Sequence, residues 1–180
     1  IEHPTPMRSA KRKGIFPCDM SDLFGIGIPN EWIEQVMTTI KLCSYHRFYL
    51  LTKQPQNLIK WSPFPPNCWV GASADTYYAM FKATRWLPEV KATIRFVSFE
   101  PLLESMAGPR LNLKGIDWII CGQQTPVKKS TMPKRVWIDE ITSACRSASI
   151  PYFEKNNLKS LLDRDLVQQF PMGNSLRRNN

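Results

Sequence analysis

The sequence predicts an α/β fold, an incomplete, TIM-like parallel (β/α) barrel of about six strands. Six short apolar runs punctuate the chain: GIFPCD (14–19), RFYLLTK (47–53), CWVGASA (68–74), IRFVSFE (94–100), DWIICGQ (117–123) and PYFEKN (151–156). They are rich in β-branched and aromatic residues, and mostly continuous rather than alternating, as strands covered on both faces of a parallel sheet are. Segments of helical period separate them, and each strand starts about 20 to 35 residues after the last, enough for a strand–helix–strand crossover. A closed eight-stranded barrel takes about 250 residues. This chain has 180, so an incomplete barrel is expected, with a doubly wound sheet as the alternative.

The elements follow in order. The leader IEHPTPMRSAKRKG carries Arg8, Lys11, Arg12 and Lys13, and residues 1–13 read as an exposed basic arm. It has neither an initiator methionine nor an apolar h-region, which suggests a fragment or a trimmed product. Residues 1–180 are expected to form one partial-barrel domain, ending in a polar, basic tail over 164–180. Pro17 weakens the first strand because it removes a ladder hydrogen bond. In NEWIEQVMTTIKLC, Trp32, Ile33, Val36, Met37 and Ile40 form one stripe, and Asn30 is a candidate N-cap. In DTYYAMFKATRWLP, Asp75 or Thr76 could cap, and Pro88 marks the stop. In PKRVWIDEITSACRSA, Pro133 suits a first helical position, and Trp137, Ile138, Ile141 and Cys145 recur on one side. Shorter helices are expected over 54–61 and 157–162. Leu102 to Lys114 reads as a loop broken at Gly108-Pro109.

Composition narrows the function classes. No apolar run approaches the roughly 20 residues of a membrane span, no signal peptide is evident, and the cysteine usage fits free thiols in a reducing, cytoplasmic setting. The five cysteines are odd in number and contain no C-x-x-C pair, which argues against a disulfide framework or a self-contained zinc site. His3 and His46 lack companions for a metal, and no metal site is expected. The formal net charge of +9 permits nucleic acid or phosphate-bearing partners. The cations gather at Lys11–Lys13, Lys128/Lys129, Lys134/Arg135 and Arg177/Arg178. A solvated surface would account for them equally well.

In parallel α/β folds, working groups lie beyond the carboxyl ends of the strands. Here those ends carry Asp19, Asp22, Thr52, Lys53, Ser73, Asp75, Glu100, Gln123, Gln124, Glu154 and Lys155. Pro101 disfavours helical geometry at Glu100 and so fixes its exit from the strand. A carboxylate held there could be a general base, an ammonium ligand or an acceptor for a ribose hydroxyl. It could equally form a salt bridge to Lys53 or Lys155. Lys53 could bind a carboxylate or phosphate, or act as a base if desolvated. Alternation lets only one of Glu154 and Lys155 point inward. Glu100, Lys53 and Lys155 are the catalytic candidates.

The runs IFPCDMSDLF, FYLLTKQPQNL, CWVGASA, IRFVSFEPLL, IDWIICGQQT and PYFEKN, in this order, resemble a phage- and prokaryote-associated family of unknown function related to radical S-adenosylmethionine (SAM) barrels. The likeness spans roughly residues 14 to 156 and is most specific at S-D-L-F, L-T-K-x-P and F-V-S-x-E-P-L-L. It favours Lys155 as the inward residue of the last run. Longer members open with a tryptophan-asparagine-proline and three-cysteine loop ending C-x-x-C-Y-A. The resemblance therefore implies SAM and a 4Fe-4S cluster. Such a cluster needs three thiolates on one loop, and the cysteine spacing here does not supply them. The chain is expected to be a fragment or a cluster-free relative, unable to cleave SAM alone. By the same resemblance, Asp19, Ser21 and Asp22 in DMSD are candidates for contacting the SAM amino group. Ser73, Gln123 and Gln124 complete the cofactor-binding set. Gln124 stands where the family usually has the acid of glycine-glycine-glutamate-serine, so a charge is lost while hydrogen bonding is kept. The alternative is a non-enzymatic module that binds a nucleotide or nucleic acid. The small-molecule substrate and the oligomeric state are not legible.

Overall fold

The computed structural model describes residues 11–106 and 111–171. Its single sheet runs β1 (Gly14–Ile15), β2 (Arg47–Thr52), β3 (Cys68–Ser73), β4 (Ile94–Phe99), β5 (Trp118–Cys121) and β6 (Tyr152–Glu154), in sequence order, with every neighbouring pair parallel. The sheet curls into a half-barrel, so the incomplete parallel barrel holds and the doubly wound order does not. Helices α1 (Asn30–Leu42), α2 (Tyr77–Trp86) and α3 (Arg135–Ser147) cover its outer face.

The pleat sends alternate residues to opposite faces, and the two sides have separate cores. Outward residues such as Leu50, Val70, Val97 and Ile119 pack with Ile33, Met37 and Ile40 of α1, Met80 and Ala83 of α2, and Ile138 and Ile141 of α3. The concave face is lined by aromatic rings: Trp69, Phe96 and Trp118, flanked by Tyr49 and Phe153. Trp69 and Trp118 meet edge to face at 5.4 Å, and Tyr49 reaches Trp69 at 5.3 Å. These rings fill the half-barrel's own interior. Gly71 makes room for them, because a Cβ there would lie 2.6 Å from both the Phe96 ring and its carbonyl oxygen.

Several boundaries differ from expectation. The first strand ends at Ile15 rather than at residue 19, because Pro17 carries no N–H and Cys18 turns the chain with φ 58°. Asn30 does not cap α1. It is the first helical residue, and its side-chain oxygen instead accepts from Lys60 Nζ at 2.8 Å. Thr76 does cap α2, accepting from the Ala79 N–H at 3.3 Å. Pro133 lies two residues before α3, which opens at Arg135. The short helices expected at 54–61 and 157–162 are 3-10 segments, Pro55–Trp61 and Asn156–Leu158. Gly108-Pro109, His3 and Arg8 lie outside the described residues, as do Arg177 and Arg178.

The segment expected to be a polar tail begins as a structural strap. Glu154 N–H donates to the Val167 carbonyl at 2.7 Å and Gln169 N–H to the Tyr152 carbonyl at 2.8 Å, an antiparallel clasp along the free edge of β6. Such an edge would otherwise present unpaired backbone groups. Buried Glu154 anchors the strap by accepting from Arg164 at 2.7 and 2.8 Å and from the Val167 N–H at 2.8 Å. Phe170 then lies against Trp118 and Phe153, at 5.3 and 5.1 Å.

Candidate functional site at the carboxyl rim

Parallel strands in sequence order bring all six carboxyl ends to one rim. Continuing the inward alternation past each strand end leads from Leu51 to Lys53, from Phe96 and Ser98 to Glu100, from Ile120 to Gly122, and from Phe153 to Lys155. Glu100 and Lys155 meet here: Lys155 Nζ donates to Glu100 Oε1 at 2.7 Å and Oε2 at 2.6 Å. The pair bridges strands that are not neighbours. β4 and β6 flank β5, so their backbones stand about 10 Å apart. Gly122 is the residue between them. A Cβ on it would lie 2.9 Å from Glu100 Oε1 and 3.1 Å from Lys155 Cδ. The lysine reaches across β5 because nothing projects there.

The backbone around the pair is tightly bonded. Gly122 N–H donates to the Phe99 carbonyl at 3.0 Å, Leu102 N–H to Gly122 at 3.1 Å, and Lys155 N–H to Cys121 at 2.9 Å. The Glu100–Pro101 bond is cis. Ser73, nearly buried, directs its hydroxyl to the Glu100 carbonyl at 3.4 Å. A cleft of about 330 Å³ opens beside the ion pair, lined by Glu100, Thr125, Phe153, Lys155, Asn156, Asn157 and Gln168. Both charges remain partly solvated, with side-chain exposures of 44% for Lys155 and 27% for Glu100, so a ligand can reach them.

The remaining candidates divide by location. Lys53 stands on the same rim, farther along the sheet, and pairs with Asp75 at 3.5 Å across the ends of β2 and β3. Asp22 is a latch: its carboxylate accepts from the Thr52 hydroxyl at 2.9 Å, the Lys53 N–H at 2.8 Å and the Phe24 N–H at 3.1 Å. These bonds tie the loop after β1 to the end of β2. Asp19 and Ser21 are exposed on that loop. Gln123 alternates to the outer side, where it is buried and exchanges hydrogen bonds with Asn157. Gln124 is half-buried beside it. The geometry thus joins Glu100 and Lys155 directly and sets Ser73 against their backbone. Lys53 lies along the rim, and Asp22 is occupied by the chain's own groups. Gln123 donates its side-chain amide to Asn157, while its Oε1 is buried without a partner among the described residues.

Sequence reasoning missed Gly122, Asn157 and Gln168. A glycine inside an apolar strand pattern is itself a signal of close approach. Gln168 was hidden because its segment looked like a solvated tail; its amide donates to the Glu154 carbonyl at 3.0 Å and to Asn156 Oδ1 at 2.9 Å, which places it at the cleft.

The cysteines do not suit a 4Fe-4S cluster. They are spread over the loop after β1, the end of α1, β3, β5 and α3. Burial pushes the Cys68, Cys121 and Cys145 thiols up to about 12 and raises Cys43, disfavouring the thiolate that iron requires. Among the described residues no three His, Cys, Asp or Glu side chains group as metal ligands. No chemistry through a cluster is assigned to these residues. Among the described residues no helix is long and apolar enough to cross a membrane.

Fold and site together define a class: a parallel α/β half-barrel with charged groups converging on its carboxyl rim. Residues 2–163 match the model of the family described as Protein of unknown function (DUF5131), and the chain belongs to that family. No curated protein and no solved structure matches it.

Proposed function

We propose that the carboxyl rim binds a nucleoside-type small molecule with a charged tail, held around Glu100 and Lys155. The observation that carries this reading is the ion pair across Gly122, partly solvated at the mouth of a cleft. A phosphate or carboxylate on the ligand would take over the Lys155 ammonium, whose position is already fixed. Glu100, released from its partner, would then accept from a ribose hydroxyl or a ligand ammonium. Phe153 offers an apolar wall, and Thr125, Asn156 and Gln168 offer neutral hydrogen-bonding groups. Lys128, Lys129 and Lys134 are exposed on the connection from β5 to α3, which leaves the same rim, and would draw anions towards it.

The kinship with radical SAM barrels, and with it the phage association, belongs to this proposal. It rests on the segments FVSFEPLL and LTKQP, which set Glu100 and Lys53 at the rim. SAM is accordingly one ligand of the required class. In this reading Glu100 and Lys155 would contact the ligand's reacting groups, and Lys53 could receive a distal anion. The test is calorimetric titration of the protein with ATP, AMP and SAM separately. At least one should bind, and Glu100→Ala and Lys155→Ala should each weaken it by about tenfold or more, the cost of losing a charge-assisted bond. Equal affinity in all three proteins, or no binding by any probe, would overturn the reading.

A further inference from the structure

The outward face of α2 departs from what a solvent-facing helix surface normally carries. Its apolar side, Met80 and Ala83, is buried. The opposite side presents Tyr78, Phe81, Lys82 and Arg85, at positions i, i+3, i+4 and i+7 and so along one stripe. Tyr78 is 68% exposed and Phe81 58%. Aromatic side chains on a solvated helix face have no packing role there.

Cations are interleaved with the rings. Lys82 Nζ stands 5.1 Å from the centre of the Tyr78 ring, and the Arg85 guanidinium 5.0 Å from the Trp86 ring. The 3-10 segment Pro55–Trp61 packs beside α2 and repeats the arrangement, with Lys60 Nζ 5.3 Å from the Trp61 ring. Lys60 is bonded to the neutral side chain of Asn30, so its charge is not cancelled. Arg85 faces Glu89 at 4.0 Å, both more than half exposed, which leaves its charge mostly screened by water rather than neutralised.

We propose that this face binds single-stranded nucleic acid, with bases stacked on Tyr78 and Phe81 and phosphates on Lys82, Arg85 and Lys60. Rings provide sequence-tolerant stacking and interleaved cations track a backbone, the combination that single strands require. A duplex hides its base faces and would leave the rings idle. A second copy of this chain fits less well, since pairing the two faces would bring Lys82 and Arg85 against like charges. The surface lies on the helical layer, shares no residue with the cleft beside Glu100 and Lys155, and does not depend on the ligand proposed there.

The test is fluorescence anisotropy with labelled oligothymidine and oligouridine strands of about 20 nucleotides and a duplex of the same length. The single strands should bind more tightly than the duplex. Tyr78→Ala/Phe81→Ala should weaken them by at least tenfold while leaving the salt dependence unchanged. Lys82→Glu/Arg85→Glu should reduce the slope of log K against log salt by about 1.4, two phosphate contacts at about 0.7 each. The charge-matched control Lys41→Glu/Lys114→Glu, on exposed residues elsewhere, should leave that slope nearly intact. All these positions are exposed or half-exposed, and thermal melts verify that each variant folds. Four outcomes would overturn the proposal: no binding, tighter binding to duplex, affinity indifferent to Tyr78 and Phe81, or a dimer dispersed by the aromatic double variant without nucleic-acid binding.

Discussion

Glu100 and Lys155 leave strands that do not touch, and any side chain on the strand between would hold them apart. Gly122 therefore acts on the ion pair through space alone. Gly122→Ala would bring a methyl group to 2.9 Å from Glu100 Oε1 and 3.1 Å from Lys155 Cδ. Those atoms belong to flexible side-chain ends, so the fold should survive with a loss of about 1 kcal/mol. The pair itself should be lost. In urea titrations the effects of Gly122→Ala and Glu100→Ala should then be markedly non-additive, because the second change finds nothing left to break. Simple additivity would mean that the glycine has no part in the site. The acid was legible in the sequence because proline follows it at the end of an apolar run. Its partner was not: Lys53 and Lys155 each lie two strands from Glu100, and the choice fell to the intervening residues, Gly122 clearing the way for Lys155 while Asp75 takes Lys53.

At the scale of elements, the strap over Arg164–Pro171 and strand β6 depend on one buried charge. Glu154 is 0% exposed, and Arg164 satisfies both of its oxygens. The carboxylate beside it makes the guanidinium harder to deprotonate, raising an already high pKa. Arg164→Ala would leave a buried carboxylate without its counter-ion, and such losses cost about 3–5 kcal/mol. Guanidinium unfolding should show a loss of that order, and the Glu154 amide, bonded to the Val167 carbonyl, should exchange with solvent much faster. A loss below about 1 kcal/mol would show that the strap is held mainly by its backbone clasp. Hydropathy gives no hint of this arrangement. The strap is polar by composition and becomes structural only because an unpaired sheet edge lies beside it.

At the scale of the molecule, the half-barrel keeps four of its five thiols, Cys43, Cys68, Cys121 and Cys145, buried. Burial raises Cys68, Cys121 and Cys145 from an ordinary 9.0 to about 12, and the buried Tyr152 phenol is also pushed up. The sign follows from where the proton is held. The folded state keeps these thiols protonated, whereas unfolded thiols ionise near 9.0. Their contribution to stability is complete below about pH 9 and is lost progressively as pH climbs towards 12. At about pH 10.5 each fully buried thiol should cost about 2 kcal/mol relative to neutral pH. Urea midpoints under reducing conditions should therefore fall more steeply between pH 8 and about pH 10.5 in the wild type than in Cys121→Ala. Parallel slopes in the two proteins would contradict the burial of this thiol.

The sequence by itself determined the class: continuous apolar runs separated by amphipathic segments admit little besides a parallel sheet with helices. The choice of a partial barrel over a doubly wound sheet came from the lateral strand order. Parallel order sends the polar residue after each run to one end. Local patterns could not decide which of those residues meet. The contact of Glu100 with Lys155 rather than Lys53 depends on what stands on the strand between, Gly122 on one side and the Asp75 that holds Lys53 on the other. The diversion of Asp22 and Gln123 to structural bonds and the recruitment of the tail as an edge clasp depend on lateral strand order. Those properties arise between segments distant in the chain, and no window of neighbouring residues encodes them.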